Sequence, residues 1–451
     1  MNDILSYEEA VKYIHSLGES VIKLGLERFR ALCESLGNPQ DKLRIIHIAG
    51  TNGKGSTAAM VSAILGANNY KVGAYYSPFV YDIRERFMLN GEMIPPVDFV
   101  RLVNTIRPHA LALEKTQHGH PTEFEMKTAI ALLYFAEQEV DFAVLEVGLG
   151  GRLDATNIVT PLVSVITNVG MDHMERLGNT VSEIAFEKAG IIKEGIPVVT
   201  AAQDNEALKV IRQVCDERHA KLFHVQPANC ARCFKVEPQK DSSPRGPLCE
   251  SSIQNSFSLD GILARYENVE VGMEGEFQLL NAATAVATVE VLKEHGFCVS
   301  ESAIREGLKK AYVPGRLEVL HEKPFVVVDG AHNLNAAREL AHALCRFPHN
   351  RLILVIGMVS GHSVEDVMSE LAPLAHTIIA TKSSNVRAAP AETIANIARQ
   401  YCSNVEQITP VREAVRRALA LSSSNDLVCV TGSFYTVGEA PRDIKSLVNK
   451  F

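Results

Sequence analysis

Ile45-Ile46-His47-Ile48-Ala49-Gly50-Thr51-Asn52-Gly53-Lys54-Gly55-Ser56-Thr57 is the stretch from which the rest of the chain is read. Residues 44–49 are apolar on both faces, as in a strand of a parallel sheet covered by helices. Residues 56–68 follow with Ala58, Val61 and Leu65 at helical spacing. Between the two lies a glycine-rich turn carrying a lysine and hydroxyl residues. A strand, such a turn and a helix N-terminus wrap backbone N–H groups around phosphate oxygens. Gly50, Thr51, Asn52, Gly53, Lys54, Gly55, Ser56 and Thr57 are therefore candidate nucleotide contacts. Lys54 would reach the terminal phosphates, and Ser56 or Thr57 would offer a hydroxyl to Mg²⁺. The spelling departs from the common phosphate loop, because Gly55 separates the lysine from the hydroxyl. A tight strand-to-helix turn without a ligand is the plain alternative.

Outward from this stretch, short β-branched runs at 142–147, 162–167 and 197–201 alternate with helical segments such as 123–137, which is an α/β pattern with a parallel sheet. A second series has strands at 325–328, 351–356, 377–380 and 427–430, with helices near 335–345, 364–371 and 391–401. Helical stretches at 278–295 and 300–311 would close the first domain. Val313-Pro314-Gly315-Arg316 reads as a hinge. The expected organisation is residues 1–312, a hinge at 313–317, and residues 318–451. Residues 226–258 look like a surface loop or hairpin, and no repeat is visible.

At 451 residues the chain is long enough for two or three domains. No apolar run approaches the roughly 18 residues of a membrane helix. Asp3, Glu8 and Glu9 stand where a signal peptide would be basic and then apolar, and nine irregularly spaced cysteines fit a reducing compartment. A cytoplasmic location is expected. With 45 basic against 53 acidic residues, the net charge of −8 argues against a nucleic-acid binder.

Further along come Ser77-Pro78, Thr122-Glu123-Phe124-Glu125, Glu146-Val147-Gly148-Leu149-Gly150-Gly151-Arg152-Leu153-Asp154-Ala155-Thr156-Asn157 and Asn168-Val169-Gly170-Met171-Asp172-His173. They are followed by Glu187-Lys188-Ala189-Gly190-Ile191, Pro314-Gly315-Arg316, Asp329-Gly330-Ala331-His332-Asn333 and Gly432-Ser433-Phe434-Tyr435. In this order the motifs resemble those of the folylpolyglutamate synthase and dihydrofolate synthase family, within the Mur ligase superfamily. The resemblance spans nearly the whole chain. It implies an N-terminal P-loop-type parallel-sheet ATPase domain and a smaller C-terminal Rossmann-like α/β domain. It also implies ATP-dependent addition of L-glutamate to folates, to dihydropteroate, or to both, through an acyl phosphate.

The resemblance implies site residues as well. One Mg²⁺ would be held by Ser56 or Thr57, by Ser77 and by Glu146. A second would be held by Glu146, His173 and Lys188, the lysine carbamylated by CO₂; Lys54, His173 and Lys188 would be the catalytic residues. From the residues alone, Glu146 could instead pair with Arg152, and Lys188 could be a solvated helix lysine beside Glu187. ATP would also meet Asn281, Arg316, Asp329 and His332, with Ser433 beside them. Arg316 would reach the phosphates only when the two domains close. Thr122, Glu123, Phe124, Glu125, Leu153, Asp154 and Ala155 resemble pterin-site segments, and residues 24–29 resemble a loop over the folate. A monomer working on small molecules is implied; a requirement for a monovalent cation stays open.

Many relatives carry an Asp-Lys-Asp run where this chain has Gly357-Met358-Val359-Ser360-Gly361-His362-Ser363. Cys230, Cys233 and Cys249 lie in an apparent insertion without a fourth ligand at zinc spacing. A ligase for another carboxylic acid and a non-catalytic nucleotide-binding relative are the competing readings.

Overall fold

The computed structural model describes residues 5–18, 25–226, 256–361 and 363–448. The chain divides into two compact units, residues 1–272 with 278–312 and residues 273–277 with 313–451.

In the larger unit, strands β1 (Ile45–Ala49), β2 (Val72–Tyr75), β3 (Phe87–Leu89), β4 (Glu92–Met93), β5 (Phe142–Glu146), β6 (Val163–Ile166), β7 (Val198–Thr200) and β8 (Leu222–His224) form one sheet. Its order is β4-β3-β2-β5-β1-β6-β7-β8. Six strands from β2 to β8 run parallel, and β3 and β4 add an antiparallel edge. Every residue of β1 and β5 is buried, which is why these runs are apolar without alternation. Burying each of Ile45, Ile46 and Ile48 contributes about 1.5–3 kcal/mol before conformational entropy is subtracted.

Helices Tyr7–Ser16, Glu27–Ser35, Pro96–Glu114 and Glu123–Glu137 share a core with Ile45 and Leu145. A second core joins Ala49 and Ile166 to helices Val181–Ala189 and Asn205–Glu217. A separate hairpin, β9 (Ser256–Asp260) with β10 (Arg265–Glu270), is antiparallel. Its turn is tied to helix Phe277–Val291 by buried Glu290, which accepts from Ile262 N–H (2.6 Å), Leu263 N–H (3.2 Å) and the Tyr266 hydroxyl (2.9 Å). Residues 227–255, including the three insertion cysteines, lie outside the described residues.

In the smaller unit, β11 (Glu318–Glu322), β12 (Phe325–Val328), β13 (Leu352–Ile356), β14 (Thr377–Ala380), β15 (Val405–Gln407) and β16 (Leu427–Thr431) form a sheet of order β11-β12-β16-β13-β14-β15. All pairs are parallel except β11 with β12. Helices Leu334–Leu344, Val364–Leu371, Ala391–Ala398 and Val411–Leu421 pack their apolar stripes on it.

Candidate active site

In an open parallel sheet, ligands sit beyond the carboxyl ends of the strands. In the larger unit the neighbouring strands β2, β5, β1 and β6 end in Ser77, Glu146, residues 50–57 and residues 168–173.

The Gly50–Thr57 loop begins helix Lys54–Ala67, with Gly53 as its cap at φ +82°. A Cβ on Gly53 would lie 2.3 Å from Asn281 Oδ1, and one on Gly50 would lie 1.9 Å from Thr167 Oγ1. Only glycine fits at either position. Asn52 N–H donates to Asn168 Oδ1 (2.8 Å), Thr51 Oγ1 to Gly170 O (3.1 Å), and Thr167 Oγ1 to Asn52 O (2.7 Å). Lys54 Nζ folds back onto the carbonyls of Gly50 (2.9 Å) and Thr51 (3.0 Å). From far along the chain, fully buried Gln278 donates to Ser56 Oγ (3.3 Å) and accepts from Asn281 Nδ2 (2.9 Å). Gly53→Ala adds both the left-handed strain of about 1–2 kcal/mol and a collision with Asn281. It is expected to weaken ADP binding at least about tenfold; wild-type ADP affinity by calorimetry would contradict this account of the loop.

Glu146 is 2% exposed. Its Oε2 accepts from Ser77 N–H (2.8 Å) and would lie 3.4 Å from a Cβ on Gly55, so the carboxylate faces the positive end of the P-loop helix. The alternative pairing with Arg152 does not form, because Arg152 Nη2 bonds Glu187 Oε1 at 2.8 Å. Nor is Lys188 a solvated lysine: it is 3% exposed, and its Nζ donates to Gly50 O at 3.0 Å. Burial first, and then the charge of Lys54, hold its amine down to about 7, with Asp172 opposing. Asp172 was not among the expected site residues, and no motif chemistry singled it out. His173 caps the short helix Met174–Leu177 at φ +49°. Its N–H donates to Asp172 Oδ1 (2.9 Å) and its ring lies 4.0 Å from the same carboxylate. Glu146, with Ser77 bonded to it, thus approaches the phosphate loop at Gly55, and Lys188 approaches it at Gly50.

Thr122 and Glu125 form a reciprocal cap on helix Glu123–Glu137. Glu125 also pairs with Arg28 Nε at 2.8 Å, which joins two segments expected at the acceptor site; residue 24 of the first lies outside the described residues. Glu123 is held by Lys127 and by His15 (3.1 Å). Phe124 packs on Gly148 and on Tyr75, ring centroids 6.2 Å apart. Leu153 is half-buried and Ala155 buried. Asp154 is enclosed by donors: Gly148 N–H (3.1 Å), Leu149 N–H (2.9 Å), Thr156 N–H (3.0 Å) and Thr156 Oγ1 (2.5 Å). Two further buried cations, Lys127 and Arg86, each approach the Phe79 ring at 5.8 Å. Neither carries a sequence signal.

Within the smaller unit, Asp329 follows β12 and accepts from Leu317 N–H and Ala331 N–H, both at 2.8 Å. Burial raises its carboxyl, with Arg316 opposing. Arg316 stacks over Phe434 at 4.5 Å, and the His332 ring is 6.2 Å from the same phenylalanine. His332 Nδ1 donates to Gly330 O (2.7 Å). Ser433 caps helix Phe434–Glu439 and donates to Gly357 O (3.1 Å), where Thr436 Oγ1 also donates (2.7 Å). The four expected residues of this unit therefore gather around Phe434 and the ends of β12 and β16. Among the described residues, no group of three or more His, Cys, Asp or Glu side chains is placed to hold a metal, and no helix is long and apolar enough to cross a membrane.

Residues 48–289 match the Mur ligase middle domain, and residues 315–434 the Mur ligase glutamate ligase domain. A dihydrofolate synthase/folylpolyglutamate synthase of Bacillus subtilis is 39% identical over 98% of this chain and 99% of its own length. The crystal structure of Thermotoga maritima folylpolyglutamate synthase is 37% identical, with a TM-score of 0.79 over 99% of this chain and 96% of its own. An Escherichia coli protein solved in complex with DHPP and ADP is 29% identical, with a TM-score of 0.82 over 99% of this chain and 98% of its own. The phosphate loop, the strand-end carboxylate and the two matched domains stand in one order along a chain that belongs to the folylpolyglutamate synthase and dihydrofolate synthase family of Mur ligases.

Proposed function

We propose that this chain is an ATP-dependent ligase that joins L-glutamate to dihydropteroate, to a folate, or to both, releasing ADP and phosphate. The observation that carries the proposal is the burial of both Glu146 and Lys188 against one phosphate loop. A plain strand-to-helix turn has no use for either.

The donor set fits Mg²⁺. Ser77, Glu146 and Ser56 or Thr57 are hard oxygen ligands, and Thr57 Oγ1 is buried with no hydrogen-bond partner among the described residues. A second Mg²⁺ would use Glu146, His173 and a carbamylated Lys188. Bound there, the ions would offset repulsion between the triphosphate and an approaching carboxylate. Lys188 fits carbamylation because burial holds its amine down to about 7, so that a large fraction is neutral at that pH. The neutral amine bonds to CO₂ and releases one proton, which places an anion beside Lys54. The loop N–H groups and Lys54 would hold the γ-phosphoryl group in line with the acceptor carboxylate. The carboxylate oxygen attacks phosphorus and ADP leaves; the glutamate amine then attacks the acyl carbon, and phosphate leaves with that oxygen.

Acceptor carboxylate labelled with ¹⁸O should therefore yield phosphate carrying one ¹⁸O per turnover. Unlabelled phosphate would sink the acyl-phosphate route. We assign residues 1–312 to the ATP-binding ligase domain, 313–317 to the hinge and 318–451 to the C-terminal domain, in a monomeric cytoplasmic enzyme.

A further inference from the structure

We propose that His47 is a positioning residue for the acid acceptor, acting through Thr156 and Asp154 on the loop that leaves Glu146. The inference rests on the reading that Leu153, Asp154 and Ala155 border the acceptor.

His47 interrupts an otherwise apolar strand, and both it and Thr156 are fully buried. A polar ring there costs stability unless it is bonded. Its Nε2 lies 2.8 Å from Thr156 Oγ1, which in turn donates to Asp154 Oδ1 at 2.5 Å. Because the hydroxyl proton is committed to the carboxylate, His47 must donate Nε2–H to the hydroxyl oxygen. Burial pushes the imidazole down to about 3, so it stays neutral with its single proton at Nε2. Its Nδ1 has no hydrogen-bond partner among the described residues, which leaves the Thr156 contact as the ring's polar role.

The chain of bonds continues past Asp154. Its Oδ2 accepts from Gly148 N–H and Leu149 N–H, the start of the loop, while Oδ1 fixes the turn Ala155–Ile158. Burial raises the Asp154 carboxyl and these donors oppose that shift. A hydroxyl polarised by His47 is a stronger donor than one left to itself. One side chain, three residues before Gly50, thereby braces the loop carrying Leu153 and Ala155 against the strand that carries the nucleotide loop.

The test is steady-state kinetics on full-length protein, with thermal melting to confirm folding. His47→Leu removes the donor at similar volume and should raise the acceptor KM about tenfold while the ATP KM stays within about twofold. His47→Gln, which restores an N–H donor, should recover most of the loss. Thr156→Val should reproduce the shift, and the double variant should add little to either single one. Thr156→Val also carries the test alone if His47→Leu does not fold. Equal rises in the acceptor and ATP KM, or no rescue by His47→Gln, would overturn the proposal by reducing His47 to packing. Leu153→Ala separates the two layers. If it raises the acceptor KM while His47→Leu leaves it unchanged, the positioning role falls and the site stands; if Leu153→Ala has no effect, the acceptor site itself is misplaced.

Discussion

Lys188→Ala is expected to lower glutamate-dependent ADP release by on the order of a hundred- to a thousandfold. The lysine is buried against Gly50 O and close enough to Lys54 for their charges to interact. As a cation it would sit in the wrong place, next to another cation and where metals are to be held. As a carbamate it would supply the missing oxygen ligands. A short carboxylate such as acetate should enter the space vacated in the alanine variant and restore part of the activity, with the Mg²⁺ requirement kept. Full activity in the unrescued variant would refute the assignment. The pH dependence follows from the amine being held down to about 7 rather than 10.5. Between these values the unfolded chain binds more protons than the folded one, so in CO₂-free buffer the Lys188 contribution to stability rises with pH across that window. Activation by added bicarbonate should likewise be stronger at pH 8 than at pH 6.

Glu146→Gln is expected to be comparably damaging and to leave the fold intact. The substitution is nearly isosteric, and an amide oxygen can still accept from Ser77 N–H. What it removes is the charge of a carboxylate that is 2% exposed. With the side-chain volume and the Ser77 contact kept, the ligand-free variant should remain folded, which thermal melting checks. Activity should fall on the order of a hundred- to a thousandfold, with the Mg²⁺ concentration for half-maximal rate shifted upward. A Mg²⁺ dependence identical to wild type would remove Glu146 from the metal site. The two variants differ in one readout: acetate is expected to rescue Lys188→Ala and not Glu146→Gln, whose cavity stays filled.

Strands buried on both faces were the most legible part of the sequence, because β12 and β13 are continuous apolar runs and β1, β5, β6 and β16 each carry a single polar residue. β2 was not anticipated; it is four residues long and includes Gly73, whose Cα lies under the Phe135 ring. The hairpin β9–β10 and the long helix Pro96–Glu114, which contains Pro108, are likewise weak signals, the first for its polar residues and the second for its internal proline. Within the site, the Gly50–Thr57 loop could be read from local chemistry. Lys188 could not: its neighbours spell an ordinary amphipathic helix, and burial arises only when Val181–Ala189 packs beneath β1. Gln278, Arg86 and Lys127 gain meaning from partners far away in sequence, which a local pattern does not encode.

The bond from Gln278 to Ser56 spans 222 residues. A truncated chain ending before residue 277 would contain every letter of the phosphate-loop motif and all eight strands of the sheet that carries it, yet it would lack the two amides that contact the loop at Ser56 and Gly53. During synthesis from the N-terminus, the loop cannot reach its final form until that late helix has emerged. Nucleotide therefore cannot stabilise the early nascent chain through a finished site, and the first half of this protein must rely on its own sheet pairing and apolar core.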